Sequence, residues 1–248
     1  MKARFLMKMM CRSDMYLLLF DIDGTILRFR KGLARKLFSK VMSELYGRNI
    51  PEDVIPRFAG MTDLHILRTM TESIGVSHDE MAENLPTIWQ KMLAVFKEYC
   101  TPENINLMPG VDTLIKQLFD RDDTVLGLIT GNFEENAYFK LSAHRLNKYF
   151  DFGAFGSDHE NRNMLPELAV QRANKIHGEG CFGRHNTLII GDTFRDIECA
   201  HKNSMKVLAV ATGEFTFEEL EGQSPELLMR DFKNTDLVIN EIYNLLKK

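Results

Sequence analysis

The chain has 248 residues, of which 44% are hydrophobic and 27% are charged, so it can bury a sizeable core and has an ordinary globular composition. Its formal net charge of −4 offers no basic surface for a nucleic acid or an anionic membrane. Small-molecule chemistry is therefore the favoured class of function.

The residues before Met15 are expected to form a flexible extension. Residues 1–14 carry several charges and lack the continuous apolar stretch of a signal peptide, and no run of about twenty apolar residues follows that could span a membrane. The four cysteines lack the paired spacing of a disulfide framework or a zinc site: Cys11, Cys100, Cys181 and Cys199. We expect a cytoplasmic monomer or homodimer with no membrane or nucleic-acid partner, and Met15 is an alternative start of translation.

The first strand is predicted by the apolar run from Tyr16 to Phe20. This run leads directly into Asp21-Ile22-Asp23-Gly24-Thr25. Open α/β sheets bind their ligands at the carboxyl ends of their strands, so two acids at this position are candidate site residues.

Residues 31–100 have helical periodicity and no strand pattern, behind a basic hinge at residues 28–32. Helices are predicted over residues 33–47, 63–74 and 78–99. Gly47 ends the first helix, Thr62 is the expected N-cap of the second, and Pro86 is expected to bend or break the third. This block reads as an all-helical insert between the first two strands of a sheet.

Strands and helices alternate after Thr101. Strands are predicted over residues 125–129, 150–155, 187–190 and 206–210, with a short edge strand at residues 237–238. The alternation predicts an α/β fold, a Rossmann-like parallel sheet with helices on both faces and right-handed crossovers. We assign residues 15–30 and 101–248 to this core and residues 31–100 to a helical cap.

Three of the predicted strands end in polar motifs, at residues 21–25, 130–132 and 191–196. Acids gathered at one sheet edge repel each other unless a cation lies among them, and hard carboxylate oxygens suit Mg²⁺. The Thr130 hydroxyl and its neighbouring amides are suited to bind phosphate oxygens. A metal and a phosphate at one site indicate phosphoryl transfer.

These motifs resemble those of the haloacid dehalogenase superfamily of phosphohydrolases, within its phosphoglycolate-phosphatase-like and beta-phosphoglucomutase-like branch, and the resemblance runs from Met15 to the C-terminus. It implies that Asp21 is the nucleophile that forms an aspartyl-phosphate, and that Asp23 acts first as an acid and then as a base. It also implies Mg²⁺ held by the Asp21 carboxylate, the Asp23 backbone carbonyl and Asp192, with Asp196 as a further ligand or a supporting residue.

The resemblance assigns the binding of the transferring phosphoryl group to Thr130, with backbone amides around Gly24, Gly131 and Asn132. The leaving group is expected to meet the cap. The candidate residues there are Arg57, Met61, Thr62 and Asp63, with Arg28 and Arg30 at the hinge as alternatives. The arginines among these candidates favour an anionic substrate such as phosphoglycolate or a sugar phosphate.

The third motif of the family departs from its usual form. It is a lysine, usually followed by proline just before a helix, and the chain contains no Lys-Pro pair. We assign its role to Arg162, because a guanidinium can bridge a carboxylate and a phosphate. Lys175 is an alternative that lies inside the helix predicted over residues 166–177, and Asp158 and His159 lie close enough in sequence to join the site.

The resemblance implies a Mg²⁺-dependent phosphatase acting on a small phosphorylated metabolite. Two alternatives are a phosphomutase that returns the phosphoryl group to a sugar, and a non-catalytic binding protein with the same fold, which the missing lysine leaves open. A C–Cl dehalogenase is disfavoured because Asp23 supplies the proton transfer that phosphoryl chemistry needs. Each of these site residues also has a purely structural interpretation. Asp21 and Asp23 could be solvated acids in a turn, Asp192 and Asp196 could cap a helix, and Arg162 could be an ordinary surface arginine.

Overall fold

The computed structural model describes residue 12, residues 14–50 and residues 58–247. The predicted specificity residue Arg57 and nearly all of the predicted extension at residues 1–14 lie outside these residues. No helix in the described part of the chain is both long and apolar enough to cross a membrane.

A six-stranded parallel sheet forms the centre of the fold. Across the sheet the strands follow the order β5 (Gly153–Phe155), β4 (Thr124–Thr130), β1 (Tyr16–Phe20), β6 (Thr187–Gly191), β7 (Lys206–Val210) and β8 (Leu227–Met229). Phe20 in β1 pairs with Leu128 on one side and with Ile190 on the other. The carboxyl ends of β4, β1 and β6 therefore lie side by side.

The central strand β1 is buried on both faces. Leu18 and Phe20 belong to one apolar cluster, and Leu17 and Leu19 belong to another. The first cluster includes α4 (Val111–Phe119), α5 (Glu134–Ser142) and α9 (Thr235–Leu246), and the second includes α6 (Leu165–His177), α7 (Phe194–Lys202) and α8 (Phe217–Glu221). Helices on both faces explain the continuous apolar run of β1 and confirm the predicted α/β fold.

Three helices occupy the predicted all-helical block: α1 (Leu33–Tyr46), α2 (Asp63–Ser73) and α3 (His78–Tyr99). Gly47 follows α1 in the left-handed conformation, and the Thr62 side chain caps α2 as predicted. Of the bend or break expected at Pro86, the break is wrong, because α3 continues through this residue. Its buried residues on both sides of Pro86, including Met81 and Ile88, join the same apolar cluster and keep the helix in one piece.

A short antiparallel pair connects the two chain segments that enter and leave the helical block. It consists of β2 (Leu27–Phe29) and β3 (Ile105–Leu107), with Arg28 opposite Asn106. The predicted basic hinge at residues 28–32 therefore begins as a strand. Arg28 and Arg30 are both exposed.

Two strand predictions need correction. Leu237 and Val238 lie in α9 and not in an edge strand, because Val238, Ile242 and Leu246 recur at helical spacing and pack on the sheet. The edge strand is β8 instead. The strand predicted over residues 150–155 pairs only from Gly153, and a single helical turn precedes it at Asn147–Tyr149.

Candidate active site

The three polar motifs meet at one edge of the sheet because they follow the neighbouring strands β1, β4 and β6. Asp21, Thr130 and Asp192 are at most 3% exposed. The Thr25 hydroxyl donates a hydrogen bond of 2.9 Å to Oδ1 of Asp192 and joins the first motif to the last. The convergence expected from the sequence is therefore present in the structure.

Asp21, Asp192 and Asp196 form a buried acidic cluster in which one oxygen of each lies within 4.8 Å of the others. Burial raises the pKa of Asp21 to about 7, against the lowering effect of the Arg162 charge. Burial, and then the charges of Asp21 and Asp196, raise the pKa of Asp192 well above its usual value. Hard oxygen donors with an excess of negative charge fit a Mg²⁺ ion.

Asp196 differs from the other two acids because both of its oxygens have protein partners. Arg162 binds Oδ1, while Oδ2 accepts hydrogen bonds from the backbone N–H and the hydroxyl of Thr193 at 3.0 and 2.7 Å. Thr193 and Asp196 together form the capping box of α7. Of the two roles predicted for Asp196, these contacts favour the supporting one.

Arg162 lies in the turn Arg162–Met164 directly before α6 and is 6% exposed. Its Nη2 donates to Oδ1 of Asp21 at 2.9 Å and also contacts Asp196. Its Nε is buried without a hydrogen-bond partner among the described residues. The alternative Lys175 is exposed on α6. A fixed positive charge thus lies where the resemblance implies a lysine.

Lys140 on α5 is a functional candidate that the sequence analysis missed. Its Nζ lies 2.8 and 2.6 Å from the two carboxylate oxygens of Asp23, and it also contacts Oδ1 of Asn132. Nδ2 of Asn132 lies 2.7 Å from Oδ2 of Asp23 and 2.7 Å from the Thr130 hydroxyl. Lys140 falls three residues after the inward-facing Ala137, so its position on the buried face of α5 was the available signal.

Two predicted glycines are required by close approaches. Gly24 has a φ of +95°, and a Cβ there would lie 2.2 Å from Oδ2 of Asp192. A Cβ on Gly131 would lie 1.9 Å from the carbonyl oxygen of Met61. The phosphate contact expected for the Gly24 amide is not available, because its N–H already donates to the carbonyl of Leu27 at 2.8 Å.

The segment before α2 contacts the loop that follows β4. The backbone N–H of Asp63 donates to the Gly131 carbonyl at 2.6 Å, and Oδ2 of Asp63 accepts from the Phe133 N–H at 2.8 Å. The Thr62 hydroxyl donates to the Glu160 carbonyl at 2.8 Å. Burial raises the pKa of Asp63 to about 6. Thr62 and Asp63 therefore hold the helical block against the sheet edge.

A cavity of about 420 Å³ lies between this segment and the loop before Arg162. Met61, His65, His159, Arg162 and Arg195 contribute to its lining. Arg162 lines the cavity and also contacts Asp21, so this one side chain connects the cavity with the acidic cluster. Its volume suits a small polar ligand.

Asp158 does not join this cavity. Its two oxygens form 2.7 Å hydrogen bonds with Nη1 and Nη2 of Arg172, and Oδ2 also accepts from the Phe155 N–H at 2.9 Å. Its role in the structure is to hold the end of β5 against α6.

Comparisons with known proteins identify the family of this chain. A family model described as haloacid dehalogenase-like hydrolase matches residues 18–210. The protein named as pyrophosphatase PpaX of Caldanaerobacter subterraneus subsp. tengcongensis is 23% identical over 216 residues, which cover 86% of this chain and 89% of that protein. The protein named as phosphatase IndB of Dickeya dadantii is 23% identical over 233 residues, which cover 93% of this chain and 95% of that protein.

Solved structures show the same fold. The crystal structure of a predicted phosphatase from Clostridium acetobutylicum has a TM-score of 0.68 and 19% identity, and the match covers 92% of this chain and 99% of that one. For the crystal structure of beta-phosphoglucomutase from Clostridium difficile the TM-score is 0.67 with 18% identity, and the match covers 93% of this chain and 97% of that one. The family match confirms the predicted resemblance and the predicted hydrolase class. The matched range includes every acid predicted for the site, and the chain belongs to the haloacid dehalogenase-like hydrolase family.

Proposed function

We propose that the protein is a Mg²⁺-dependent phosphatase that hydrolyses a small phosphate monoester through an aspartyl-phosphate on Asp21. The observation that carries the proposal is the 2.9 Å contact between Arg162 and Asp21 within a buried cluster of acids. A nucleophile, a fixed positive charge and hard oxygen ligands are the groups that phosphoryl transfer needs. The phosphatase and pyrophosphatase names of the two relatives support the same class of reaction.

The carboxylates of Asp21 and Asp192, with the backbone carbonyl of Asp23, would hold the metal, and Asp196 would anchor Arg162 beside them. When bound, Mg²⁺ would neutralise negative charge on the phosphoryl oxygens. The guanidinium of Arg162 contacts Asp21 and Asp196, two of the three acids in the cluster, and the excess of acids over cations supports a divalent ion at the site.

In the first step, a carboxylate oxygen of Asp21 attacks the phosphorus atom and the bond from phosphorus to the leaving oxygen breaks. Asp23 donates its proton to that oxygen as the bond breaks. Arg162 stabilises the negative charge that gathers around the phosphoryl group, and the Thr130 hydroxyl binds one phosphoryl oxygen. The products are the aspartyl-phosphate and the free alcohol.

In the second step, water attacks the phosphorus atom of the aspartyl-phosphate. Asp23 now takes a proton from the water, and Asp21 is released together with inorganic phosphate. Asp23 thereby regains the proton that it donated in the first step, and its side chain, which is 42% exposed, is accessible to water.

We also propose that residues 31–100 act as a cap over the core formed by residues 15–30 and 101–248. Residues 61–63 lie against the loop after β4, and the cavity beside them would receive the leaving group. Arg162 and Arg195 in the cavity lining support an anionic leaving group, as in phosphoglycolate or a sugar phosphate, and Glu160 and Glu198 in the same lining balance part of their charge. We further propose that the protein is cytoplasmic and that it is a monomer or a homodimer.

The direct test is phosphate release from an aryl phosphate, with and without Mg²⁺ or a chelator, by the wild type and Asp21→Asn. Asp112→Asn, at an exposed position in the first turn of α4, is the matched control. We expect Mg²⁺-dependent turnover in the wild type and the control, and none in Asp21→Asn. Full activity of Asp21→Asn would contradict the proposal, and an isomerised sugar phosphate with little free phosphate would identify a mutase instead.

A further inference from the structure

The ammonium group of Lys140 is buried with all three of its N–H donors engaged. Two contact the carboxylate oxygens of Asp23, at 2.8 and 2.6 Å, and the third contacts Oδ1 of Asn132. The side chain is 5% exposed. Because a lysine has three donors and no acceptor, this ammonium has no hydrogen left for a substrate. Its role must therefore be exerted through its two partners.

Lys140 determines which way the side-chain amide of Asn132 points. A lysine only donates, so the atom of Asn132 that faces Nζ must be the oxygen. The amide NH₂ then faces the other way, where its nitrogen lies 2.7 Å from Asp23 and 2.7 Å from the hydroxyl oxygen of Thr130. The ammonium thus settles an orientation that the amide could otherwise reverse.

The orientation of Asn132 in turn decides how the Thr130 hydroxyl can bond. Its oxygen faces two donors of Asn132, the side-chain NH₂ at 2.7 Å and the backbone N–H at 3.3 Å. A hydroxyl has two lone pairs and one hydrogen, so with both lone pairs accepting, Thr130 keeps its hydrogen for a third group. An anionic phosphoryl oxygen requires such a donor.

Lys140 also lies near two aromatic rings, one of which belongs to the helical block. Its Nζ lies 5.4 Å from the ring centre of Phe29 in β2 and 5.5 Å from that of Phe96 in α3. The two rings meet edge to face at 5.6 Å. Attraction between the ammonium and these ring faces ties its position to the docking of α3.

We propose that Lys140 is a positioning residue that holds Asp23 directly for proton transfer and, through Asn132, leaves the Thr130 hydroxyl as a donor to the phosphoryl group. The assignment rests on the proposed phosphatase function. It predicts that loss of the Lys140 charge impairs both catalysis and phosphate binding, although Lys140 itself touches neither reactant.

The first test compares Lys140→Met with the wild type, using Lys116→Met at an exposed position on α4 as the matched control. Methionine keeps most of the buried apolar volume but removes the charge. We expect kcat for an aryl phosphate to fall by roughly 100-fold, the loss typical of a misplaced reacting group. Binding of inorganic phosphate, measured by calorimetry, should weaken by about tenfold, the value of one hydrogen bond to a charged group. The assignment would be overturned if kcat and the phosphate affinity of Lys140→Met both stayed within about twofold of the wild-type values.

The second test asks whether an ammonium group alone restores activity. Lys140→Ala leaves a space that matches propylammonium, which should recover part of the lost kcat in this variant and none in Asp21→Asn. Asn132→Leu should also lower kcat, and its loss should not add fully to that of Lys140→Met, because the two residues contact each other and share Asp23 as a partner. Additive losses, or a folded Lys140→Ala that propylammonium does not activate, would contradict the proposed chain of contacts.

These results are separable from a failure of the proposed function. Activity retained in Asp21→Asn would defeat the phosphatase mechanism whatever Lys140 does. An inactive Asp21→Asn combined with a fully active Lys140→Met would defeat only the Lys140 assignment. The calorimetric measurement of phosphate binding does not depend on turnover.

Discussion

Nη2 of Arg162 lies 2.9 Å from Oδ1 of Asp21, and both side chains are buried. The residues are 141 positions apart in the chain. Burial opposes the charge on Arg162, but the neighbouring Asp196 and Asp21 outweigh it and raise the pKa of the guanidinium, which stays charged. The site therefore has a permanent cation beside its proposed nucleophile, supplied by arginine and not by the lysine usual in the family.

Replacing Arg162 should damage both folding and catalysis. Arg162→Met leaves Asp21 and Asp196 buried without their cation, so we expect the free energy of unfolding to fall by about 3–5 kcal/mol. Arg162→Lys restores the charge but not the reach of the guanidinium, and should recover part of the stability and activity. Denaturant unfolding and aryl phosphatase assays measure both effects. Arg184→Met, at an exposed position, is the control. A fully stable and active Arg162→Met would be incompatible with the role assigned here.

The stability of the contact between α2 and the loop after β4 should depend on pH through Asp63. Burial raises the pKa of Asp63 from its ordinary value of 3.8 to about 6. Between these values the folded protein binds more protons than the unfolded chain, so ionisation of Asp63 lowers the free energy of unfolding as pH rises through this window.

Asp63→Asn removes this ionisation while an amide oxygen can still accept the Phe133 N–H. We expect the variant to gain about 2 kcal/mol relative to the wild type between about pH 4 and about pH 7, which is most of the pKa shift expressed as free energy. Urea unfolding at about pH 4 and about pH 7 measures the difference. An equal effect of the substitution at both pH values would show that the Asp63 carboxylate is not destabilised by burial.

Gly131→Ala should separate the helical block from the site. The added Cβ would lie 1.9 Å from the Met61 carbonyl oxygen and 2.9 Å from the Thr62 Cα, and backbone atoms cannot rotate out of the way. We expect a loss of about 1–3 kcal/mol in the free energy of unfolding, as for other overpacked sites.

The single tryptophan of the chain, Trp89, reports the same docking because it stacks on Phe133 with ring centres 4.9 Å apart. Its fluorescence should change in Gly131→Ala. Gly222→Ala is the matched control, since its nearest neighbour is 3.5 Å from the added Cβ and its φ is −60°. If Gly131→Ala matched this control in stability and fluorescence, the close approach at Met61 would be refuted.

Binding of Mg²⁺ should release protons near neutral pH. Burial raises the pKa of Asp21 to about 7 and raises that of Asp192 as well, so the metal-free protein retains protons that ionised ligands must lose. Calorimetric titrations in buffers of different ionisation enthalpy should show greater proton release at about pH 6.5 than at about pH 8.5. Asp21→Asn should reduce the release. Proton-independent binding at both pH values would contradict a metal site formed by these carboxylates.

The residues at the edge of the sheet could be predicted because short stretches of sequence indicate them. Asp21, Thr130 and Asp192 each follow an apolar run, and parallel strands bring their carboxyl ends together. Arg162 was also within reach, because it directly precedes a helix. Each of these inferences depends on a short stretch of chain and on one general rule of α/β folds.

Other features depended on contacts between distant parts of the chain, or on patterns that fit more than one structure. Lys140 meets Asp23 across 117 positions, and its inward position on α5 is ordinarily taken by an apolar residue. The contact of Asp63 with Phe133 spans 70 positions and depends on how the helical block docks. The edge strand was misplaced at Leu237 because a pair of apolar residues fits a strand and a helix equally well.

The most direct test of the account is to trap the covalent intermediate. The enzyme should be quenched with acid during turnover of an aryl phosphate with Mg²⁺, and then treated with borohydride, which reduces an aspartyl-phosphate to homoserine. Mass spectrometry should find homoserine at position 21 in the wild type and at no position in Asp21→Asn. Modification of a different residue, or rapid Mg²⁺-dependent turnover with no modified residue, would contradict the assignment of Asp21 as the nucleophile.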